Sequence, residues 1–223
     1  MKEQFCKLTS IRKFGNIKTF SVDRSFTSLR SGQFFLVSNS NKDSKIIPVY
    51  VFSIDQEVDF SFPSDVRWDI GDLLLFHGPI GSGFDDLSKF SNIFMFSLDP
   101  EHHSLKALMD IGIKENKNIA YIAENKDIPI PPTVEIITTD LITETIEWAN
   151  YIAIEMNRED LPKNYEVLKN IKEHGVTCEL LIYCPILCFG KADCLICSLK
   201  TKKGWVKTCQ QGQIFNLDNL ELE

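Results

Sequence analysis

The sequence predicts a multi-domain α+β chain: an antiparallel β-barrel or sandwich, then a small α/β unit, then a short cysteine-rich module. Three observations carry this expectation. Over residues 1–88, short runs rich in Phe, Val, Ile and Leu alternate with polar residues between turn-forming clusters. From about residue 91 strand-like and helix-like patterns alternate. Five of the seven cysteines then fall between 184 and 209.

In the first unit the pattern predicts strands over Ile17–Val22, 33–37, 48–54, Val58–Phe62 and 72–76. Turn chemistry separates them at Ser31-Gly32, 39–43, Phe62-Pro63-Ser64 and Ile70-Gly71-Asp72. Short strands at near-regular spacing predict a small barrel or sandwich. The segment Gly78-Pro79-Ile80-Gly81-Ser82-Gly83-Phe84 breaks the pattern and marks a boundary loop.

In the second unit, 89–180, strands are expected over Asn92–Ser97, Asn118–Ala123, 134–138 and 151–155. A helix over 101–111 would turn Leu105, Leu108 and Met109 inward, and a second over 143–149 would carry Thr143 and Glu147 near its first turn. A third, Tyr165–His174, ends at Gly175, a favourable C-cap. Residues 127–132 contain three prolines and predict an extended loop. Alternating strands and helices predict a largely parallel sheet.

A hydrophobic fraction of 43% and a charged fraction of 25% allow an ordinary buried core. The net charge of −7 argues against nucleic acid as the main partner, which would require a clustered basic face. The one basic cluster, 200–207, has four lysines and reads as a solvated hairpin tip. No run approaches the roughly 18 apolar residues of a membrane span, and the start MKEQFCKLTS lacks a signal-peptide core. A soluble, cytoplasmic protein with reduced thiols is therefore expected. His102 and His103 belong to no ligand set and read as surface histidines. No nucleophile–base arrangement for hydrolysis is apparent.

The crowded cysteines, in the 181–223 module, follow the order Cys188-x5-Cys194-x2-Cys197-x11-Cys209. Plant-type two-iron clusters use C-x4-C-x2-C and a distant fourth cysteine. Two thiolates must bind each iron, which requires a tight loop plus one remote ligand. Gly190 within the loop would let backbone N–H groups approach the cluster sulfurs. The first gap is one residue longer than the plant-type spacing, which leaves Cys184 as a substitute ligand or a supporting thiol. Two alternatives stand beside the cluster: a zinc site using Cys184, Cys188, Cys194 and Cys197, and inert buried thiols.

The stretch Ile186-Leu187-Cys188-Phe189-Gly190-Lys191-Ala192-Asp193-Cys194-Leu195-Ile196-Cys197 and the later Cys209-Gln210-Gln211-Gly212-Gln213-Ile214-Phe215 resemble the cluster module of the electron-transfer subunit of dihydroorotate dehydrogenase B. That family reads M-x-C-G-x-G-x-C-x-x-C, a hairpin, then V-C-x-x-G-P-V-F. Ser31-Gly32-Gln33-Phe34 is similar to its P-G-Q-F strand. The 69–84 segment is similar to its G-D-x-(L/V)-x-x-x-G-P-x-G-x-G-F segment.

The resemblance implies a ferredoxin-reductase-like barrel, an α/β nucleotide-binding-like domain and a 2Fe-2S module on Cys188, Cys194, Cys197 and Cys209. It implies a hetero-oligomer with an FMN-containing dihydroorotate dehydrogenase catalytic subunit, acting in pyrimidine biosynthesis. In the family, electrons pass from FMN through the cluster to FAD and NAD. This chain departs from the pattern at both later links. The family's Arg-Pro-x-Ser flavin strand corresponds to 46–54, where Pro48 is kept without an arginine, leaving Pro48, Tyr50 and Ser53 to touch FAD. The loop after Asn92–Ser97 has two acids and no glycine, and Ile154-Glu155-Met156 replaces the family's C-G-P turn. NAD binding is therefore not expected, and the acceptor should be something else. The same architecture would also suit a subunit of a hydrogenase or sulfur-metabolism reductase, and a zinc-stabilised interaction module is the non-redox rival.

Overall fold

The computed structural model describes the chain apart from residues 1, 16, 27, 41, 42, 55–57, 99–102, 124–128, 189 and 223, with the backbone alone at 43, 44 and 123. Six antiparallel strands close into a barrel in the order β1-β2-β5-β4-β3-β6. They are β1 (Lys2–Phe14), β2 (Ile17–Val22), β3 (Phe34–Asn39), β4 (Asp43–Ile54), β5 (Val58–Phe62) and β6 (Leu73–Ile80). Strand β1 was not anticipated. Over Lys2–Phe14 its fully buried positions are only Cys6 and Leu8, so its sequence shows too little apolar alternation.

The period-2 geometry of β3 and β4 assigns their faces. Phe35, Val37, Ile47, Val49 and Val51 point into the barrel, where Phe35, Phe60 and Phe76 meet with ring centroids 5.3–5.6 Å apart. The alternate residues Phe34, Leu36, Tyr50 and Phe52 belong to the core shared with the α/β unit. One pair of strands therefore serves two hydrophobic cores.

The second sheet has the order β14-β11-β10-β7-β8-β9. Its strands are β7 (Asn92–Ser97), β8 (Asn118–Ala123), β9 (Glu135–Ile136), β10 (Tyr151–Asn157), β11 (Thr177–Tyr183) and β14 (Ile214–Asn216). All neighbours run parallel except β14, which is antiparallel to β11. The buried run of β7 suits a parallel strand covered on both faces. Its helices are α1 (Leu105–Lys114), α2 (Ile142–Trp148) and α3 (Tyr165–His174). Leu105, Leu108 and Met109 are buried as expected. Positions 101 and 102, where the first helix was expected to begin, lie outside the described residues, as do 127 and 128 of the proline-rich loop.

Several local expectations need correction. The expected 134–138 strand shortens to Glu135–Ile136. In α2 the acid of the first turn is Glu144, with Glu147 near the other end. His103 is buried, 1% exposed, rather than a surface histidine. Strand β11 was missed, and it carries the sheet from the α/β unit into the cysteine-rich segment. That segment adds a hairpin, β12 (Ser198–Thr201) and β13 (Gly204–Lys207), and the short α4 (Thr208–Gln211) before returning to the sheet as β14.

Candidate metal centre

The segment after β11 brings four thiols together as two pairs. Cys188 Sγ and Cys194 Sγ stand 3.7 Å apart, and Cys197 Sγ and Cys209 Sγ 3.1 Å apart. The first pair is on the outside, with Cys194 exposed; the second is buried. The Cys184 thiol is also buried, beside the Thr208 side chain, and joins neither pair.

Local structure holds each pair. Lys191 N donates to Cys188 O at 2.8 Å, closing a turn in which Gly190 takes φ +71°. A Cβ at Gly190 would meet Cys209 O at 3.2 Å, so glycine lets the loop approach α4. Gln210 Nε2 donates to Gly190 O at 2.8 Å across the same contact. Thr208 donates to Cys197 O through its backbone N–H and its hydroxyl, at 3.1 and 3.0 Å. Arg158 reaches from the end of β10 to Ile196 O at 2.6 Å, and Lys207 pairs with Asp193.

The electrostatics differ between the pairs. Backbone hydrogen bonding around Ala192 holds the Cys188 thiol below its ordinary range. Burial, with the Cys197 thiol alongside, pushes Cys209 up to about 12. Burial likewise pushes Cys184 up to about 11. Cys209 therefore needs a compensating positive charge to become thiolate, which a bound metal would supply.

Among the described residues, no three His, Cys, Asp or Glu side chains converge to hold one metal ion. A mononuclear zinc site requires four donors around one point, whereas a two-iron cluster requires two thiolates at each of two irons. Two thiolates on one tetrahedral metal, each about 2.3 Å from it, lie about 3.8 Å apart. The 3.7 Å pair matches that edge, and the 3.1 Å pair would open slightly. Each pair by itself thus has close to the separation of two thiolates on one metal.

The flavin-strand residues do not fit FAD as they stand. Pro48 pairs with Leu36 in the ladder. Tyr50, facing the shared core, is 1% exposed. Its hydroxyl donates to Gln213 Oε1 at 2.8 Å, and its ring meets Tyr183 edge-on at 4.8 Å. Ser53 donates to Asp110 Oδ2 at 3.1 Å, and Asp110 is paired with Lys106 on α1. The phenol and the hydroxyl expected to touch a flavin are thus held by the protein itself. Gln213, Tyr183, Asp110 and Thr208 were not singled out in the sequence, because no local pattern marks a partner up to 163 residues distant.

No protein-family profile and no curated protein sequence matches the chain. Solved structures do. An NADH-dependent reduced ferredoxin-NADP oxidoreductase, studied for flavin-based electron bifurcation, superposes with a TM-score of 0.71 at 13% identity, covering 97% of this chain and 90% of that one. The ferredoxin reductase of carbazole 1,9a-dioxygenase, in its FAD apo form, gives 0.60 at 12% identity, covering 82% and 68%. Ferredoxin-NADP+ reductase from Plasmodium falciparum gives 0.58 at 10% identity, covering 81% and 96%. The fold is that of the ferredoxin reductases. Within the ferredoxin-reductase fold the thiol pairs lie beyond the sheet, on the segment between β11 and β14, and Tyr50 lies where barrel and sheet meet. Among the described residues, no helix is long and apolar enough to cross a membrane.

Proposed function

We propose that the chain is the electron-transfer subunit of a dihydroorotate dehydrogenase complex, holding a 2Fe-2S cluster on Cys188, Cys194, Cys197 and Cys209. The observation that carries this reading is the grouping of the four thiols into pairs of 3.7 and 3.1 Å, one outside and one buried. A bound two-iron cluster supplies one-electron transfer. The chain's own residues hold and shield it. Cys197 and Cys209 anchor it from the protein side, the turn at Gly190 brings backbone N–H groups to Cys188, and Cys188 and Cys194 face outward. Leu187, Leu195 and Ile196, close in sequence to these outer cysteines, form an exposed apolar rim. An apolar rim of this kind suits docking of the FMN-bearing catalytic subunit in a hetero-oligomer.

Electrons would enter from that FMN and leave for an acceptor other than NAD, in pyrimidine biosynthesis in the cytoplasm. The likeness to reductases whose names concern ferredoxin and flavin-based electron transfer supports the redox class. A second reading, a subunit of a different oxidoreductase, is favoured by the 97% coverage of this chain by a bifurcating ferredoxin-NADP oxidoreductase structure.

Purification of the chain with its partner, followed by iron, acid-labile sulfide and flavin analysis, tests both. Iron and sulfide in equal amounts with FMN in the partner are expected. A partner lacking FMN would favour the second reading, and zinc without a visible chromophore would overturn the cluster.

A further inference from the structure

In an open α/β sheet, ligands bind outside the carboxyl ends of the strands where the strand order reverses. Here the chain runs from β7 to β8 and β9 on one side, then returns to β10 on the other side of β7. The reversal lies between β7 and β10. A dinucleotide phosphate would sit there, against the N-terminus of the helix following β7.

That place holds Glu155. It is fully buried on β10, opposite Ser97 at the end of β7. Its Oε1 accepts from the Ser97 hydroxyl at 2.5 Å. Its Oε2 accepts from the backbone N–H of Leu105 at 3.1 Å and from the Tyr183 hydroxyl at 2.9 Å. Leu105 is the first residue of α1, and its neighbour Ser104 is 2.8 Å from the same Tyr183 hydroxyl. Both carboxylate oxygens act as acceptors, and the positive end of a ten-residue helix favours a negative charge beside it. Among the described residues, the Leu105 N–H and the Ser97 and Tyr183 hydroxyls, which could otherwise face a phosphate there, are taken up by a side chain of the sheet.

We propose that Glu155 is a built-in anion that fills the nucleotide-phosphate position and excludes dinucleotides from this chain. Tyr183 joins it to the flavin strand, because the Tyr183 ring also packs on Tyr50, which is held by Gln213 of the cysteine segment. A single buried network thus spans both cofactor positions of the fold. Hydride transfer to a nicotinamide has no place in the chain, so the acceptor takes single electrons at the cysteine module. That consequence rests on the electron-transfer reading; the filling of the phosphate position does not.

Titration of the purified chain with ADP-ribose and with NADH, read by calorimetry and by the thermal midpoint, needs no cluster and no activity. No heat and no shift are expected from either at millimolar concentration; saturable binding of ADP-ribose overturns the proposal. In Glu155→Ala the midpoint should fall and should recover in part with added formate, which re-supplies the carboxylate. Glu155→Gln, which keeps the volume, should fall less and ignore formate. Should the alanine variant be insoluble, the glutamine variant carries the test. A glutamine variant as stable as the parent overturns the need for an anion, as does an alanine variant indifferent to formate.

Discussion

Gly212 lies against Gly81 with no room for a side chain: a Cβ on Gly212 would come 2.4 Å from Gly81 Cα. Gly81 belongs to the glycine-rich loop after β6, and Gly212 follows α4 in the cysteine segment. Both take positive φ, +94° and +102°. Gln33 Nε2 donates to Gly81 O at 2.8 Å, and Ile214 covers Gly32. The 31–34, 78–84 and 212–215 motifs, far apart in sequence, therefore meet at one place. The glycine-rich loop seats the cysteine module on the barrel.

Gly212→Ala should destabilise the protein by about 2–4 kcal/mol, from positive-φ strain plus overpacking. Urea denaturation would register this as a lower midpoint at unchanged slope. An unchanged midpoint would mean that the two loops part easily.

Tyr50→Phe removes the donor to Gln213 Oε1 in a buried setting. A loss of about 1–3 kcal/mol is expected, the cost of leaving a buried acceptor without its partner. The variant should take up no more FAD than the parent, as followed by flavin fluorescence.

Cysteine substitutions separate the ligands from their neighbour. Cys197→Ser and Cys209→Ser should abolish the visible chromophore and the EPR signal of the reduced protein, because the inner pair anchors the cluster. Cys184→Ser should keep both, since that thiol belongs to neither pair. Loss of colour in Cys184→Ser would make it a ligand.

Glu179 supplies a pH prediction. It is buried and accepts from the Tyr151 hydroxyl at 2.5 Å and from Asp85 N at 2.8 Å, and burial raises its carboxyl above the usual range. A raised folded-state value means that the native protein holds this proton more tightly than the unfolded chain does. The contribution is fully present below the unfolded value of about 4.3 and is lost as pH rises through the folded one. Compared with Glu179→Gln, the parent should therefore be relatively most stable near about pH 4 and lose ground toward about pH 7. Parallel urea midpoints across that range would show it; a constant difference would contradict it.

Much of the architecture was legible because it follows from periodicity. The alternation in β2 and β5, the apolar runs of β3 and β7 and the Gly175 stop after α3 are local signals with local causes. Strand β1 was not legible, because its outward face is charged and its inward face is nearly confined to Cys6 and Leu8. The expected exposure of His103 failed for a different reason: a loop residue's burial depends on what folds over it.

By itself the sequence determined the two kinds of sheet, the three glycine-bearing motifs and the crowding of cysteines at 188, 194, 197 and 209, since spacing along the chain is enough for each. Only the tertiary structure decided how the thiols pair and that Cys184 is buried outside both pairs. It also decided that Tyr50 is held by Gln213 and that Glu155 meets the start of α1. The last two contacts join residues 163 and 50 positions apart. Their partners are selected by sheet order and by packing between barrel and sheet, which no local pattern encodes.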